Sequence, residues 1–207
     1  MVPLPEPMLA RSGPLPSEPG WAFELKWDGF RAVARTGSAF QVRSRRGWNM
    51  TALVPEFSAI PVEAVLDGEL VALGDDGWPH FPLVCDRLLN GKPGIRLVYV
   101  VFDVLELDGH ATTQLPYRER RRLLESLELD GPHWQTSAVF DDGEALVAVA
   151  EEHGLEGVVA KRLGSIYRPG ERGWLKIKNR AYWRYSLEVE AASRRAASDQ
   201  WTQSTSC

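Results

Sequence analysis

Cysteine is almost absent from this sequence, and histidine is dispersed. The two cysteines, Cys85 and Cys207, lack metal-ligand spacing, which argues against a disulfide framework or a cysteine-based zinc site. The four histidines are also scattered, at His80, His110, His133 and His153. No apolar run approaches the roughly 20 residues of a membrane-spanning helix, and the proline-rich N-terminus lacks the blocks of a signal peptide. We therefore expect a protein of a reducing cytoplasm.

Acidic residues slightly outnumber basic ones, but the positive charge is locally concentrated. The 207 residues carry a net charge of −4, with 44% hydrophobic and 25% charged residues, as expected for a globular chain of one large or two small domains. The net charge by itself disfavours a nucleic-acid partner. However, basic residues cluster at 43–47, 118–122, 161–162 and 176–180, and the distribution of charge matters more than its sum. The cluster at 118–122 favours a solvated helix face over a DNA contact, because leucines mark the other side of that helix.

Strand and helix patterns are interleaved along the chain. A turn at Thr36-Gly37 predicts a hairpin of 21–36 with 38–44, and a short helix is expected in 50–60, started or interrupted by Pro55. Further strands are expected at 64–73, 97–105, 156–162 and 174–180, and further helices at 81–89, 115–128 and 141–154. This order predicts an α+β domain with antiparallel sheets.

Three charged pairs lie at spacing i, i+2 in strand-like segments. Residues two apart on a strand point to the same face. A single such pair is usually a solvated strand face, but three pairs, together with Glu156 before an apolar run, point to a charged site. The pairs are Lys26/Asp28, Asp67/Glu69 and Lys176/Lys178.

Six segments in order resemble the motifs of the covalent nucleotidyltransferases, the ATP-dependent DNA ligases and their relatives. The segment KWDGFR (26–31) resembles motif I, although a lone K-x-D-G would be weak. Motifs Ia, III, IIIa, IV and V are resembled by SRRG (44–47), DGELV (67–71), VVFDVL (100–105), EGVVAKR (156–162) and WLKIK (174–178). The resemblance covers roughly residues 6 to 190 and is greatest to bacterial end-joining ligases of the ligase D and ligase C type.

The resemblance implies a fold and a domain layout. The fold would be an α+β covalent nucleotidyltransferase (ATP-grasp-like adenylation) domain, built on antiparallel sheets with flanking helices. Residues 1–20 would be an extended leader packing on the domain, 21–191 the domain itself, and 192–207 a polar, disordered tail. Full ligases continue after motif V into an OB-fold. Nothing after residue 178 resembles that domain, so we expect no C-terminal OB-fold.

The resemblance assigns catalysis to three lysines. Lys26 would attack the α-phosphorus of ATP and hold AMP as a phosphoramidate, while Lys176 and Lys178 would neutralise charge on the α-phosphate. An ordinary lysine has a pKa of about 10.4, so a nucleophilic lysine needs burial or a nearby cation to lose its proton. Its setting among apolar residues fits that need.

The resemblance also assigns the residues around the nucleotide. Glu24 would read the adenine amino group and Phe102 would stack on the base, although core packing is an equal reading of Phe102. The other cofactor-binding residues would be Asp28, Arg31, Glu69 and Arg172, with Asp67 and Glu156 as metal ligands and Arg45 reaching a DNA 5′-phosphate. Without the motif, Glu156 reads as a solvated strand end and Arg45 as a solvated turn arginine. Which of Lys161 and Arg162 faces the nucleotide stays open.

The implied function is that of an ATP-dependent DNA ligase adenylation domain in bacterial DNA repair, recombination and non-homologous end joining. Its cofactors would be ATP and Mg²⁺, with Mn²⁺ as a substitute. Its partners would be nicked double-stranded DNA and a separate OB-fold domain or end-joining proteins. We expect a monomer of the bacterial cytoplasm, associated with the nucleoid and not with a membrane. The alternatives are an RNA ligase, a capping-type nucleotidyltransferase, and a non-catalytic module that binds a nucleotide or a nick.

Overall fold

The computed structural model of the chain describes residues 3–186, which form eleven strands and three helices. The predicted tail at 192–207 lies outside the described residues. The strands are β1 (Leu9–Ser12), β2 (Trp21–Leu25), β3 (Phe30–Arg35), β4 (Gln41–Ser44), β5 (Ala64–Ala72), β6 (Leu97–Leu107), β7 (His110–Ala111), β8 (Asp130–Gly131), β9 (Trp134–Thr136), β10 (Gly157–Arg162) and β11 (Arg172–Lys178). The helices are α1 (Phe81–Leu88), α2 (Tyr117–Ser126) and α3 (Gly143–Glu152).

The strands form two sheets. The first has the order β1-β11-β10-β2, and the second has the order β4-β3-β5-β6-β9-β8, with β7 beside β6. Most neighbours are antiparallel, but β1 runs parallel to β11 and β6 runs parallel to β9. The predicted α+β class is therefore confirmed, and its sheets are mixed rather than purely antiparallel. Within residues 3–186, no helix combines the length and the apolar character needed to cross a membrane.

The core is divided into layers by the two sheets. One apolar cluster, which includes Phe57, Tyr99 and Leu124, covers the outer face of the second sheet. Another packs α3 against the outer face of the first sheet. A third lies between the sheets and draws on both. Strand β6 contributes to both faces of its sheet and is buried on both. The space between the sheets is where charged side chains from both can meet.

The predicted hairpin is only half right. Strands β3 and β4 pair antiparallel as expected, but β2 leaves them and pairs with β10 in the other sheet. Residues 26–29 form the bend between the two sheets and are not part of a strand. The argument that Lys26 and Asp28 share a strand face is therefore wrong, because a bend does not alternate its side chains.

Two other elements differ from expectation in detail. The helix expected at 50–60 is a pair of 3₁₀ turns, Thr51–Leu53 and Pro55–Ala59. Proline at the start of the second turn fits the preference of proline for a first helical turn. The basic helix α2 is not uniformly solvated. The guanidinium of Arg120 is fully buried and forms a bidentate ion pair with Asp103, with hydrogen bonds of 2.7 and 2.9 Å. The leader includes β1, which lies at the edge of the first sheet.

Candidate active site

A cavity of about 740 Å³ opens between the sheets. Its lining brings together most of the residues singled out by the motifs: Glu24, Lys26, Arg31, Arg45, Glu69, Phe102, Arg172 and Lys176. For the members that lie on strands, alternation explains the convergence, since residues two apart share a face. In β11, Trp174 and Lys176 face the space between the sheets, whereas Leu175 packs towards α3. The cavity is therefore a product of both sheets.

Lys26 lies on the bend at the edge of this cavity. Its backbone N–H donates to the Gly157 carbonyl at 2.9 Å, and its Nζ lies 2.6 Å from Oε2 of Glu156. The lysine side chain is 23% exposed and that of Glu156 only 6%. The amine is thus reachable from the cavity, while its carboxylate partner is withdrawn into the protein.

Two glycines permit this arrangement because there is no room for a side chain. A Cβ at Gly29 would lie 2.1 Å from the carbonyl oxygen of Leu70. At Gly157, φ is +140° and a Cβ would lie 2.1 Å from the carbonyl oxygen of Ile177. Any larger residue would displace backbone, so these glycines set how closely the bend and the start of β10 approach their neighbours.

Glu24 is held by a buried lysine and a tyrosine. Its Oε1 lies 2.5 Å from Nζ of Lys161 and accepts a hydrogen bond from the Tyr117 hydroxyl at 2.6 Å. The Lys161 amine also donates to the Phe102 carbonyl at 3.1 Å and lies over the ring of Trp174. Burial lowers the pKa of Lys161, and the charge of Glu24 opposes that shift. Lys161 is thus the member of the Lys161-Arg162 pair that faces the interior.

Arg162 points outward. It lies 3.4 Å from Glu18 and over the ring of Trp21, and both partners of the ion pair are mostly exposed. Alternation along β10 separates the two basic residues onto opposite faces. The sequence left this choice open because a strand ending in two adjacent cations does not show which of its faces is buried.

Asp67, expected to be a metal ligand, is paired with an arginine and a tyrosine. It is fully buried, and its carboxylate forms a bidentate ion pair with the Arg31 guanidinium, with hydrogen bonds of 2.6 and 2.7 Å. The Tyr167 hydroxyl donates a third hydrogen bond at 2.6 Å. Both oxygens of Asp67 therefore already have partners, and the side chain is absent from the cavity lining, an arrangement that favours a structural role for this residue.

Arg31 connects this pair to the cavity. Its guanidinium lies 4.5 Å from the centre of the Phe102 ring, and burial opposes its charge while Asp67 raises its pKa. Phe102 is itself almost buried, meets Trp174 edge to face, and still lines the cavity. Phe102 is therefore both a core residue and part of the cavity wall.

Asp28 also departs from expectation. Its carboxylate is buried outside the cavity lining and accepts hydrogen bonds from the Tyr182 hydroxyl and from Arg184. Its role as a nucleotide contact stays a prediction, and the contacts seen here favour a structural role. These partners follow it by more than 150 residues in the chain, so the K-x-D-G pattern could not reveal them.

Three exposed arginines contribute to the cavity lining. Arg45, Arg46 and Arg172 line it and are exposed, and the Arg45 amide donates to the Arg31 carbonyl at 3.1 Å. Lys178 is not in the lining, although it pairs in register with Gly157, next to Glu156. Sequence reasoning missed Tyr117, Tyr167 and Trp174 as supports of the site. For Trp174, the available signal was its i, i+2 spacing to Lys176.

Glu69 is a cavity-lining carboxylate whose pKa is shifted by burial. Burial raises its pKa from 4.5 to about 8, and the positive charges of Lys26 and Arg31 only partly oppose the shift. A carboxyl with a raised pKa binds its proton more tightly in the folded state than in the unfolded state. Its contribution to stability is therefore complete below about pH 4.5 and is lost as the pH rises to about 8.

Glu69→Gln should remove this part of the pH dependence. Relative to the wild type, the variant should gain about 1–3 kcal/mol of unfolding free energy between pH 5 and pH 8.5, a figure reduced from the full linkage because the side chain is partly exposed. Urea unfolding at the two pH values measures this difference. Glu151→Gln, at an exposed position of α3, is the control and should track the wild type. Identical pH dependence in all three proteins would contradict the raised pKa.

The fold and the site together define a nucleotidyltransferase adenylation domain: a lysine on a bend between two sheets, facing a cavity lined by carboxylates, cations and an aromatic ring. The family described as ATP dependent DNA ligase domain matches residues 7–178, and the chain belongs to this family.

Named relatives and a solved structure are consistent with membership of this family. The multifunctional non-homologous end joining DNA repair protein LigD of Mycobacterium tuberculosis is 37% identical over 84% of this chain and 24% of that protein. The SPbeta prophage-derived DNA ligase-like protein LigB of Bacillus subtilis is 34% identical over 85% of the chain and 68% of that protein. The solved structure of mycobacterial DNA ligase D complexed with ATP and MES is 36% identical, with a TM-score of 0.74 over 84% of this chain and 60% of that one. The chain thus spans about a quarter of the length of its LigD relatives.

Proposed function

We propose that this chain forms a covalent lysyl-AMP on Lys26 and uses it to seal nicks in DNA. The observation that carries the proposal is the pairing of a cavity-facing lysine with a withdrawn carboxylate, Glu156, at 2.6 Å. Family membership supports ATP as the nucleotide and DNA as the substrate. The similar solved structure of mycobacterial DNA ligase D was obtained as a complex with ATP, which supports the same nucleotide.

The first step forms a P–N bond between Lys26 Nζ and the α-phosphorus and breaks the bond from that phosphorus to pyrophosphate. The amine must lose a proton, and Glu156 Oε2 is within hydrogen-bond distance to accept it. Lys176 and the exposed arginines supply positive charge where the phosphates gather. Such a reaction depends mostly on positioning and electrostatic stabilisation.

The base and the sugar would be held by the inner part of the cavity. Phe102 offers a ring face, and Glu24 offers carboxylate oxygen to an exocyclic amine of adenine. Lys161 and Tyr117 both bind Oε1 of Glu24 and so hold the carboxylate in one orientation. Arg31 and Glu69 are proposed to contact the ribose, and Arg172 a phosphate.

The donors at this site fit Mg²⁺ only if substrate phosphates and waters supply the rest of its ligands. Within residues 3–186, no group of three acidic, cysteine or histidine side chains is arranged to hold a metal. Mg²⁺ is commonly bound by one or two carboxylates together with substrate phosphates and waters, and Glu156 with Glu69 would supply those carboxylates. When bound, the ion would neutralise phosphate charge.

In the later steps AMP would pass to the 5′-phosphate of a nick, and the 3′-hydroxyl would then displace it. An OB-fold domain or end-joining proteins are proposed partners, since the LigD relatives are named for non-homologous end joining. A bacterial cytoplasmic location is proposed on the same ground. The decisive test is the intact mass after incubation with Mg²⁺ and either ATP or GTP. One added AMP supports ligase chemistry, added GMP indicates a capping type, and no adduct indicates a binding module.

Arg45→Ala should weaken binding to a nick with a 5′-phosphate more than to one without it. Loss of a hydrogen bond to a charged group costs about 1.5–3 kcal/mol, so affinity should fall roughly tenfold or more for the phosphorylated nick. Binding titrations at fixed salt measure the difference. The control is Arg118→Ala, an exposed arginine of α2 away from the cavity. Comparable losses on both nicks would remove Arg45 as the phosphate reader, and preference for an RNA nick would favour an RNA ligase.

A further inference from the structure

The segment after β11 folds back onto the bend that carries Lys26. We call residues 179–184 the clasp. At its start, the Asn179 side chain donates to the backbone carbonyls of Ala150 and Leu155 at 3.3 and 3.0 Å. At its end, Arg184 lies 2.5 Å from Asp28, which also accepts the Tyr182 hydroxyl. The clasp therefore ties Asp28 to the end of α3.

The clasp is also attached to two elements of the site. The Asn179 amide donates to the Glu156 carbonyl at 3.0 Å, which fixes the residue paired with Lys26. The Arg184 guanidinium lies 3.7 Å from the centre of the Phe81 ring in α1. Because its anchors lie on α1, on α3 and beside Glu156, the clasp presents Tyr182 and Arg184 to Asp28 from a fixed direction.

The bend is held from the opposite side as well. Gly29 approaches the Leu70 carbonyl so closely that no side chain fits there, and the Trp27 indole N–H donates to Ser137 at 3.3 Å. Only one residue separates Asp28 from Lys26. A shift of the Asp28 carboxylate would therefore move the lysine, and displacements of about 1 Å in a reacting group commonly cost about 10²-fold in rate.

We propose that Asp28 is a positioning residue, which the clasp residues Tyr182 and Arg184 hold so that Lys26 projects into the cavity. The inference rests on the proposed role of Lys26. Asp28 is buried outside the cavity lining, and each of its oxygens has a partner from the clasp. A buried carboxylate that loses its cation is strongly unfavourable, so without Arg184 the bend would rearrange to hydrate Asp28.

The test compares Arg184→Met, which keeps an apolar stem over Phe81, with Arg184→Lys, which restores a cation. Arg180→Ala, an exposed position within the clasp, is the matched control. The first readout is amide exchange of the peptide covering residues 26–29, which needs no activity. The second is single-turnover self-adenylylation over a range of ATP concentrations, which separates the maximal rate from the half-saturating concentration.

Arg184→Met should speed amide exchange in the bend and lower the maximal rate about 10- to 100-fold, with the half-saturating ATP concentration unchanged within about twofold. Arg184→Lys should recover most of the rate, and Arg180→Ala should match the wild type. If Arg184→Met does not fold, Tyr182→Phe removes one hydrogen bond while keeping the ring, and the same criteria apply.

Two results would contradict the role of the clasp, and a third would contradict the proposed function instead. Unchanged exchange in the bend would overturn the clasp. A raised half-saturating ATP concentration at an unchanged maximal rate would also overturn it, since Asp28 would then act on nucleotide binding. If exchange responds but the wild type never gains AMP, the proposed function fails while the physical clasp stands.

Discussion

Lys26→Ala should carry no AMP after incubation with ATP and Mg²⁺, whereas the wild type should carry one AMP in an acid-labile, base-stable linkage. The physical reason is that the variant has no amine beside Glu156 to form the P–N bond. Intact mass and peptide mapping measure the adduct. An adduct on any other residue, or an adduct retained by the variant, would contradict the assignment.

Two further variants separate loss of chemistry from loss of structure. Lys26→Arg keeps a cation for Glu156, but a guanidinium stays protonated in proteins, so it should fold normally and also gain no AMP. Lys92→Ala removes a mostly exposed lysine that pairs with Asp86, and it should be labelled like the wild type. An unfolded Lys26→Ala beside a folded but inert Lys26→Arg would still support the nucleophile.

The sequence predicts the cavity well where strand alternation controls it. Glu24, Glu69 and Lys176 belong to strands whose other face is plainly apolar, so their side chains had to turn towards the opposite sheet. The family motifs supplied what alternation cannot, namely that two sheets would bring these faces together. The same patterns located strands β5, β6, β10 and β11, although the ends of β6 and β11 differ from the expected ones by two residues.

Sequence patterns do not reveal the partners of a buried carboxylate when those partners are distant in the chain. Asp28 and Asp67 lie in motifs expected to hold nucleotide or metal, yet their partners come from the clasp and from β3. Local sequence also gave no sign that residues 26–29 connect two sheets. The contact between Arg31 and Asp67 follows from the antiparallel pairing of β3 with β5. It could be predicted only if the sheet topology were already known.

Asp67→Ala should therefore reduce stability and leave the metal requirement unchanged. Removing one partner of a buried ion pair lowers the free energy of unfolding by about 3–5 kcal/mol. Here the change also removes the hydrogen-bond acceptor of the Tyr167 hydroxyl. Urea unfolding measures the loss. Asp86→Ala is the control, because its pair with Lys92 is largely exposed and such pairs contribute about 0–1 kcal/mol.

The double variant Asp67→Ala/Arg31→Met distinguishes the two readings of Asp67. If Asp67 only neutralises Arg31, removing both charges should recover part of the stability lost by Asp67→Ala, since an apolar replacement of a buried pair is often tolerated. The Mg²⁺ concentration needed for half-maximal self-adenylylation should be the same in Asp67→Ala and the wild type. If Asp67→Ala keeps its stability but needs more Mg²⁺, Asp67 is a metal ligand after all. That result would require the Arg31 guanidinium to move away from Asp67 when ATP binds, because both carboxylate oxygens of Asp67 accept hydrogen bonds in this structure.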